Sequence, residues 1–268
     1  MNSVIFRIAV GFLLGVLILL AASLSFSSYY LGQQQKLAAA GDVGAALDAA
    51  RLSARLDPFS SAPIVAQSSL RQGQGNPEEA AELLREAIRR DPANYANRAQ
   101  LGTLQFTQLN DPGAAAKTYR RALEQIPKDT VLIANLAAAL AATGDLEGAK
   151  REYEKCREFD RISTRDLYDL GRIYARTGEP EKAVEALEEA REKARAKVEG
   201  SSGPKRVQRE LFVNSVDLAI ADAYVAQGNY DEATRVLENS DAEQAPAILE
   251  LLYFNPEEYR ESVLNSEL

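Results

Sequence analysis

Hydrophobic positions along the chain fall into two regimes. From Ile8 to Phe26 the sequence reads IAVGFLLGVLILLAASLSF, nineteen residues without a charge. At about 1.5 Å of rise per residue, a helix over this run spans the roughly 30 Å hydrocarbon core of a bilayer. After it, apolar residues recur at three- and four-residue intervals among polar ones, which predicts amphipathic helices that bury one face each. Glycines at 41, 75, 144, 178 and 228 mark turns between them.

Self-alignment gives the second regime a period of 34 residues. Five residues after each of those glycines stands an alanine, Ala46, Ala80, Ala149, Ala183 and Ala233, and Ala115 completes the column. The column advances by 34, 35, 34, 34 and 50 residues, so five units are contiguous and an insertion precedes the sixth. Four residues on come Ala50, Leu84, Tyr119, Tyr153, Leu187 and Leu237; three further stand Ser53, Ala87, Ala122, Cys156, Ala190 and Ser240. Pro58, Pro92 and Pro127 lie twelve residues after their alanines, where proline ends a helix, while the fourth unit has Arg161 there. Ahead of the turns, Leu101-Gly102, Leu136-Ala137, Leu170-Gly171 and Ile220-Ala221 open a further column, with Tyr174 and Tyr224 one turn later.

These columns resemble the tetratricopeptide repeat (TPR), over about residues 27–247. The resemblance implies an all-α fold, a right-handed helical-hairpin solenoid of about six TPR units preceded by one transmembrane helix. Small residues such as Gly102, Ala115, Ala122, Gly171 and Ala183 let paired helices approach, and no single pair can bury its apolar stripe without neighbours. The expected organisation is an anchor at 1–26, repeats over 27–247 with a 16-residue insertion near 195–210, and a capping helix or tail at 248–268. Departures concentrate near the anchor, where Gln33-Gln34 and Gln67-Ser68 replace Leu-Gly, and in the turn Asn110-Asp111-Pro112-Gly113, which carries an extra residue.

In this family the first helices of successive units line a partner groove. By spacing, that face reads Ala96, Ala99, Thr103 and Phe106 in the third unit and Val131, Ala134 and Ala138 in the fourth. In the fifth it turns basic, with Arg165, Tyr168 and Arg172, and Arg176 on the adjoining edge. The face suits a partner with an apolar stripe and acidic groups; the alternative is that the arginines pair with Asp166 or Asp169 or face water. The chaperone-tail clamp of one TPR subclass is not matched: Asn135 fits, but Ala99, Thr103 and Ala134 stand where polar grips belong.

Composition narrows the chemistry. The chain is 46% hydrophobic, 7% aromatic and without Trp, with a formal charge of −8, which opposes binding to a nucleic-acid backbone. It has no His, which removes imidazole ligands and nucleophile–histidine relays, and its one Cys sits in a small-residue column. No catalytic, cofactor-binding or metal-binding residues are expected, and no cofactor; the sequence reads as a non-enzyme. The basic segment with Arg191, Lys193, Arg195, Lys197, Lys205 and Arg206 reads as a solvated helix face, or else as a contact for an acidic partner or lipid head groups.

For the apolar run, Arg7 before it and Tyr29 and Tyr30 after it suit a single-pass helix with a cytoplasmic N-terminus and an extracytoplasmic, periplasmic solenoid. A cleaved signal peptide is the rival, given the small residues Ala21, Ala22, Ser23 and Ser25. Gly11 and Gly15 form a GxxxG face on which a second transmembrane helix would pack. The expected partners are other proteins, including subunits of a membrane complex, and the lipid bilayer through residues 8–26. The functional expectation is a membrane-anchored scaffold, an extracytoplasmic adaptor or chaperone-like factor; the alternative is a permanent accessory subunit of an integral membrane complex.

Overall fold

The structure, a computed structural model, describes residues 2–265, with side chains from residue 6 onward. Met1 and residues 266–268, the extremes of the expected anchor and cap, lie outside the described residues. Among the described residues the chain is entirely helical, with fourteen helices and no strand. It divides after Pro127 into two compact units.

The first unit holds α1 (Asn2–Ala39), α2 (Val43–Leu56), α3 (Ala62–Gly73), α4 (Pro77–Arg90), α5 (Tyr95–Thr107) and α6 (Pro112–Leu123). They pair as the hairpins α1–α2, α3–α4 and α5–α6. The second unit holds the hairpins α7 (Thr130–Ala142) with α8 (Leu146–Glu158), α9 (Thr164–Arg176) with α10 (Pro180–Glu199), and α11 (Pro204–Gln227) with α12 (Tyr230–Glu238). Two further helices, α13 (Ala245–Phe254) and α14 (Pro256–Asn265), follow.

Each repeat column has a physical role. All six column alanines, from Ala46 to Ala233, are fully buried, as are Leu84, Leu187 and, to within a few per cent, Tyr119, Tyr153 and Leu237. The alanines are small because the partner helix passes close by. A Cβ on Gly102 would lie 2.7 Å from the Tyr119 ring, and one on Gly171 would lie 2.5 Å from Leu187 Cγ. The turn glycines are left-handed, with φ between 76° and 83° at Gly41, Gly75, Gly144, Gly178 and Gly228, a region that costs side-chain-bearing residues energy. Asn110, at φ 49°, takes that conformation in the third unit, so the extra residue in its turn is absorbed without glycine. Helix starts are capped locally: Asp42, Asp111, Asp129 and Asp145 accept backbone N–H bonds, and Ser163 with Asp166 forms a capping box. Where Arg161 replaces proline, α8 ends on a left-handed Asp160, and Arg161 N–H donates back to the Cys156 carbonyl.

The repeats nearest the N-terminus, whose sequences depart most from the pattern, are held by hydroxyls. Ser53 Oγ donates to the Ser27 carbonyl at 2.8 Å, Ser27 Oγ lies 3.0 Å from Ser53 Oγ, and Ser23 Oγ donates to the Leu56 carbonyl at 2.6 Å. In the second hairpin Ser68 donates to the Ala80 carbonyl, a bond that takes the place of the expected close Gly contact. No helix break separates the apolar run from the first repeat. One helix, α1, runs through both, and Ser23, inside the apolar run, already bonds to the end of α2.

The insertion lengthens two helices rather than forming a loop. It extends α10 to 20 residues and α11 to 24, with a short break at Gly200–Gly203 in which Gly203 has φ 60°. Most of its basic residues are paired within the chain. Arg191 and Arg195 reach Asp217, 4% exposed, at 3.4 and 3.5 Å, and Arg191 also pairs with Glu188. Lys193 pairs with Glu189, Arg206 with Glu210, and Lys197 donates to Thr164. A buried carboxylate without such partners would be costly, so this basic segment secures the fold. Cys156 is fully buried, donates to the Thr130 carbonyl, and has its thiol pushed up to about 11 by burial; it is a packing residue.

Candidate partner-binding groove

In the first unit, the predicted positions lie along α5. Ala96, Ala99 and Phe106 are half-buried, and Thr103 is exposed. The Thr103 hydroxyl is already engaged, donating to the Ala99 carbonyl and lying 3.1 Å from Tyr119 Oη. This part of the face is small and apolar with its one hydroxyl turned inward.

In the second unit, α7 lies beside α9, and α9 beside α11. Val131 at the start of α7 is 68% exposed, and Ala134 and Ala138 are half-buried behind it. On α9 the capping box at Ser163 fixes where the first turn begins, and the next turns present Arg165, Tyr168 and Arg172 together. The Arg165 guanidinium lies 5.4 Å from the Tyr168 ring centroid and that of Arg172 lies 5.6 Å from it, so the ring has two cations within cation–π distance. Phe212 of α11 packs edge-on against Tyr168 at 5.5 Å and takes Arg165 at 5.9 Å. Sequence spacing does not find Phe212, because it lies on the helix that the insertion lengthens.

The two arginines differ in their ionic partners. Arg165 pairs with Asp169 at 3.4 Å, as one of the two sequence readings allowed, yet stays largely exposed. Arg172 is half-buried and forms no ion pair among the described residues; its charge acts at a distance on Asp169 and Asp222. Burial nevertheless raises the pKa of both aspartates, and the nearby arginines oppose the rise. An arginine set in this way offers several N–H donors to an incoming carboxylate.

The face ends at α14. Tyr168, Arg172 and Arg176 correspond across the 50-residue step to Leu218, Asp222 and Ala226 on α11, and α14 covers that triplet. Tyr259 donates to Asp222 at 2.7 Å, Arg260 donates to the Ala226 carbonyl, and Leu218, Tyr259 and Val263 pack on one apolar cluster. Val263 and Leu264 also line a small cleft with Arg172 and Arg176. The open part of the face in this unit is therefore α7 and α9. A second, wider cleft of about 550 Å3 lies between α10 and α11, lined by Val198, Val207, Leu211 and Val213 among others.

Other predicted positions lie apart from this face. Gly11 and Gly15 are on the exposed part of α1, and a Cβ added at either would meet nothing within 4 Å. Only α1 among the described helices is long and apolar enough to cross a membrane. No group of three His, Cys, Asp or Glu side chains among the described residues converges as metal ligands.

Comparison with known proteins supports the same architecture. Four family models, each described as a tetratricopeptide repeat, match residues 65–130, 134–155, 167–191 and 218–245. No curated protein matches the sequence. Similar solved structures include PilF of Pseudomonas aeruginosa, 16% identical with a TM-score of 0.59 over 90% of this chain and 97% of PilF. A tetratricopeptide repeat protein from Parabacteroides merdae is 14% identical, with a TM-score of 0.60 over 90% of each chain. YrrB, described as a TPR protein with an unusual peptide-binding site, is 24% identical, with a TM-score of 0.52 over 60% of this chain and 82% of YrrB. At these identities the likeness concerns the fold. With its buried alanine columns and left-handed turn glycines matched by four repeat models, this chain carries tetratricopeptide repeats and is an all-helical scaffold of the kind that binds proteins or peptides.

Proposed function

We propose that the chain is a membrane-anchored adaptor that captures a protein segment on the inner face of its repeats. The segment lays apolar side chains along Val131, Ala134 and Ala138 and sets acidic groups against Arg165, Tyr168 and Arg172 of the second unit; Ala96, Ala99, Thr103 and Phe106 offer a separate small apolar surface on the first unit. The observation that carries this reading is the half-buried Arg172, held over Tyr168 without an ion pair among the described residues. Its N–H donors suit a carboxylate, and charge-assisted bonds of that kind contribute about 1.5–3 kcal/mol each.

Residues 8–26 hold the chain in a bilayer with the N-terminus cytoplasmic and the repeats on the far side, a periplasmic placement in a cell with two membranes. Support comes from the exposed apolar surface of α1 and from Arg7 before it. A reporter fused after the repeats and active only outside the cytoplasm tests the sidedness; activity only on the cytoplasmic side overturns it. The open surfaces of Gly11 and Gly15 favour a second reading, a permanent accessory subunit packed helix to helix in a membrane complex. Fixed-ratio co-purification in mild detergent that survives salt separates a subunit from an adaptor.

The groove is tested by crosslinking in the native membrane followed by mass spectrometry, comparing the unaltered chain with the double variant R165E/R172E. Reversing both charges should reduce capture of the partner more than tenfold, about 1.4 kcal/mol or more. Unchanged capture refutes the groove assignment.

A further inference from the structure

The α2–α3 turn is tied to the apolar run of α1. In the first hairpin α1 and α2 run antiparallel, joined at one end by the turn at Gly41 and held at the other by the bond from Ser23 Oγ to the Leu56 carbonyl at 2.6 Å. Ser23 lies inside the charge-free run, three residues before its end at Phe26. At about 1.5 Å of rise per residue, Leu56 is therefore held about 4–5 Å below the end of that run. The C-terminus of α2 points the same way, toward the bilayer, and the chain continues into Asp57-Pro58-Phe59.

Phe59 is the most exposed large hydrophobic side chain among the described residues, at 82%. A phenylalanine at the tip of a turn loses apolar contact if it faces water, and gains it if the turn meets acyl chains. The turn is braced in this pose. The Asp57 carboxylate accepts the backbone N–H groups of Phe59 and Ser60 at 3.2 and 3.1 Å, so the charge is held by the protein while the ring projects away. Pro58 removes another donor that would otherwise need water. Arg55, exposed one turn earlier, has a side chain long enough to extend outward from this depth toward lipid phosphates.

From these observations we infer that Phe59 inserts into the bilayer interface, giving the first unit a second membrane contact beside its transmembrane helix. Two points of attachment restrict the tilt and rotation of the first hairpin relative to the membrane, which one helix on its own does not. The inference rests on the membrane reading proposed above.

The chain contains no Trp, so single tryptophans report directly. Full-length F59W and, as a control within the span, F12W are reconstituted into phosphatidylcholine vesicles with and without bromine on the acyl chains. F12W should be quenched by the brominated lipid. F59W should be quenched at least half as deeply and be shielded from aqueous acrylamide. If F12W is quenched and F59W is not, the Phe59 contact is refuted and the membrane span stands. If F59W is shielded from acrylamide yet untouched by bromine, protein covers it, which also refutes the contact. If neither responds to bromine, the membrane reading falls and this inference with it.

Discussion

Gly171 tests the close approach on which the α9–α10 hairpin depends. The substitution G171A adds one methyl at a site where its carbon would lie 2.5 Å from Leu187 Cγ, 2.8 Å from Leu187 Cδ2 and 3.2 Å from the Ala183 carbonyl oxygen. Leu187 is fully buried, and its Cγ is a branch point, so it cannot swing aside as a chain end would. Overpacking of this kind costs about 1–3 kcal/mol, while replacing glycine in a helix by alanine returns about 1 kcal/mol of propensity. Because the contact is well under van der Waals distance and backed by backbone, the cost dominates, for a net loss of about 1–2 kcal/mol. The second unit is roughly 140 residues long, and losses of that size lower the midpoint of thermal unfolding by about 4–8 °C.

The assay follows the helical circular dichroism of the full chain in detergent on heating. Gly32 supplies the contrast, since it lies within α1 with nothing inside 4 Å of an added Cβ, so G32A should be neutral or slightly stabilising. The same chemical change should thus have opposite signs at two helical glycines. The double variant G171A/L187A should be destabilised by less than the sum of its parts, because the new methyl occupies space that Leu187 vacates. A G171A chain as stable as the unaltered one, or additive behaviour in the double variant, would falsify the packing argument.

Two further predictions concern charge. Glu179 accepts hydrogen bonds from Lys150 at 2.7 Å and Lys182 at 2.5 Å, which pull its pKa from 4.5 down to about 2. A carboxylate depressed on folding stabilises above its ordinary value and loses that contribution as pH falls from about 4.5 to about 2. In urea unfolding, E179Q should therefore show a shallower loss of stability across that interval than the unaltered chain; parallel curves would refute the assignment. Asp222 is opposite in sign, its pKa raised by burial and held back by the Tyr259 hydroxyl. Y259F leaves that carboxylate short of a donor and should cost about 1–3 kcal/mol at neutral pH. The deficit should shrink in acid as Asp222 takes up a proton, and a deficit independent of pH would refute the role assigned to the bond.

Much of the architecture is legible in the linear chain because each hairpin is determined by residues close to it in sequence. The alanine at each column is small because the helix joined to it by one turn crosses there. The turn glycine is present because the backbone reverses through a left-handed residue. Such requirements repeat with the period of the fold, so self-alignment reveals them. The predicted inner-face positions on α9 come together for the same reason, since 165, 168 and 172 lie on one side of a single helix. The repeat boundary near residue 27 is less legible: nothing in the apolar run signals that Ser23 and Ser27 already belong to the packing of α2.

What tertiary structure alone decided is carried by contacts between residues far apart in the chain with no periodic counterpart. Phe212 joins Tyr168 across 44 positions, Asp217 collects Arg191 and Arg195, and α14 returns to cover Asp222. A basic run looks the same in sequence whether its charges meet water or a buried carboxylate, and an exposed phenylalanine after a proline looks like any turn residue. Local spacing dictates which face of a helix a side chain occupies; what lies opposite that face depends on how helices pack, and that was settled only when the chain folded.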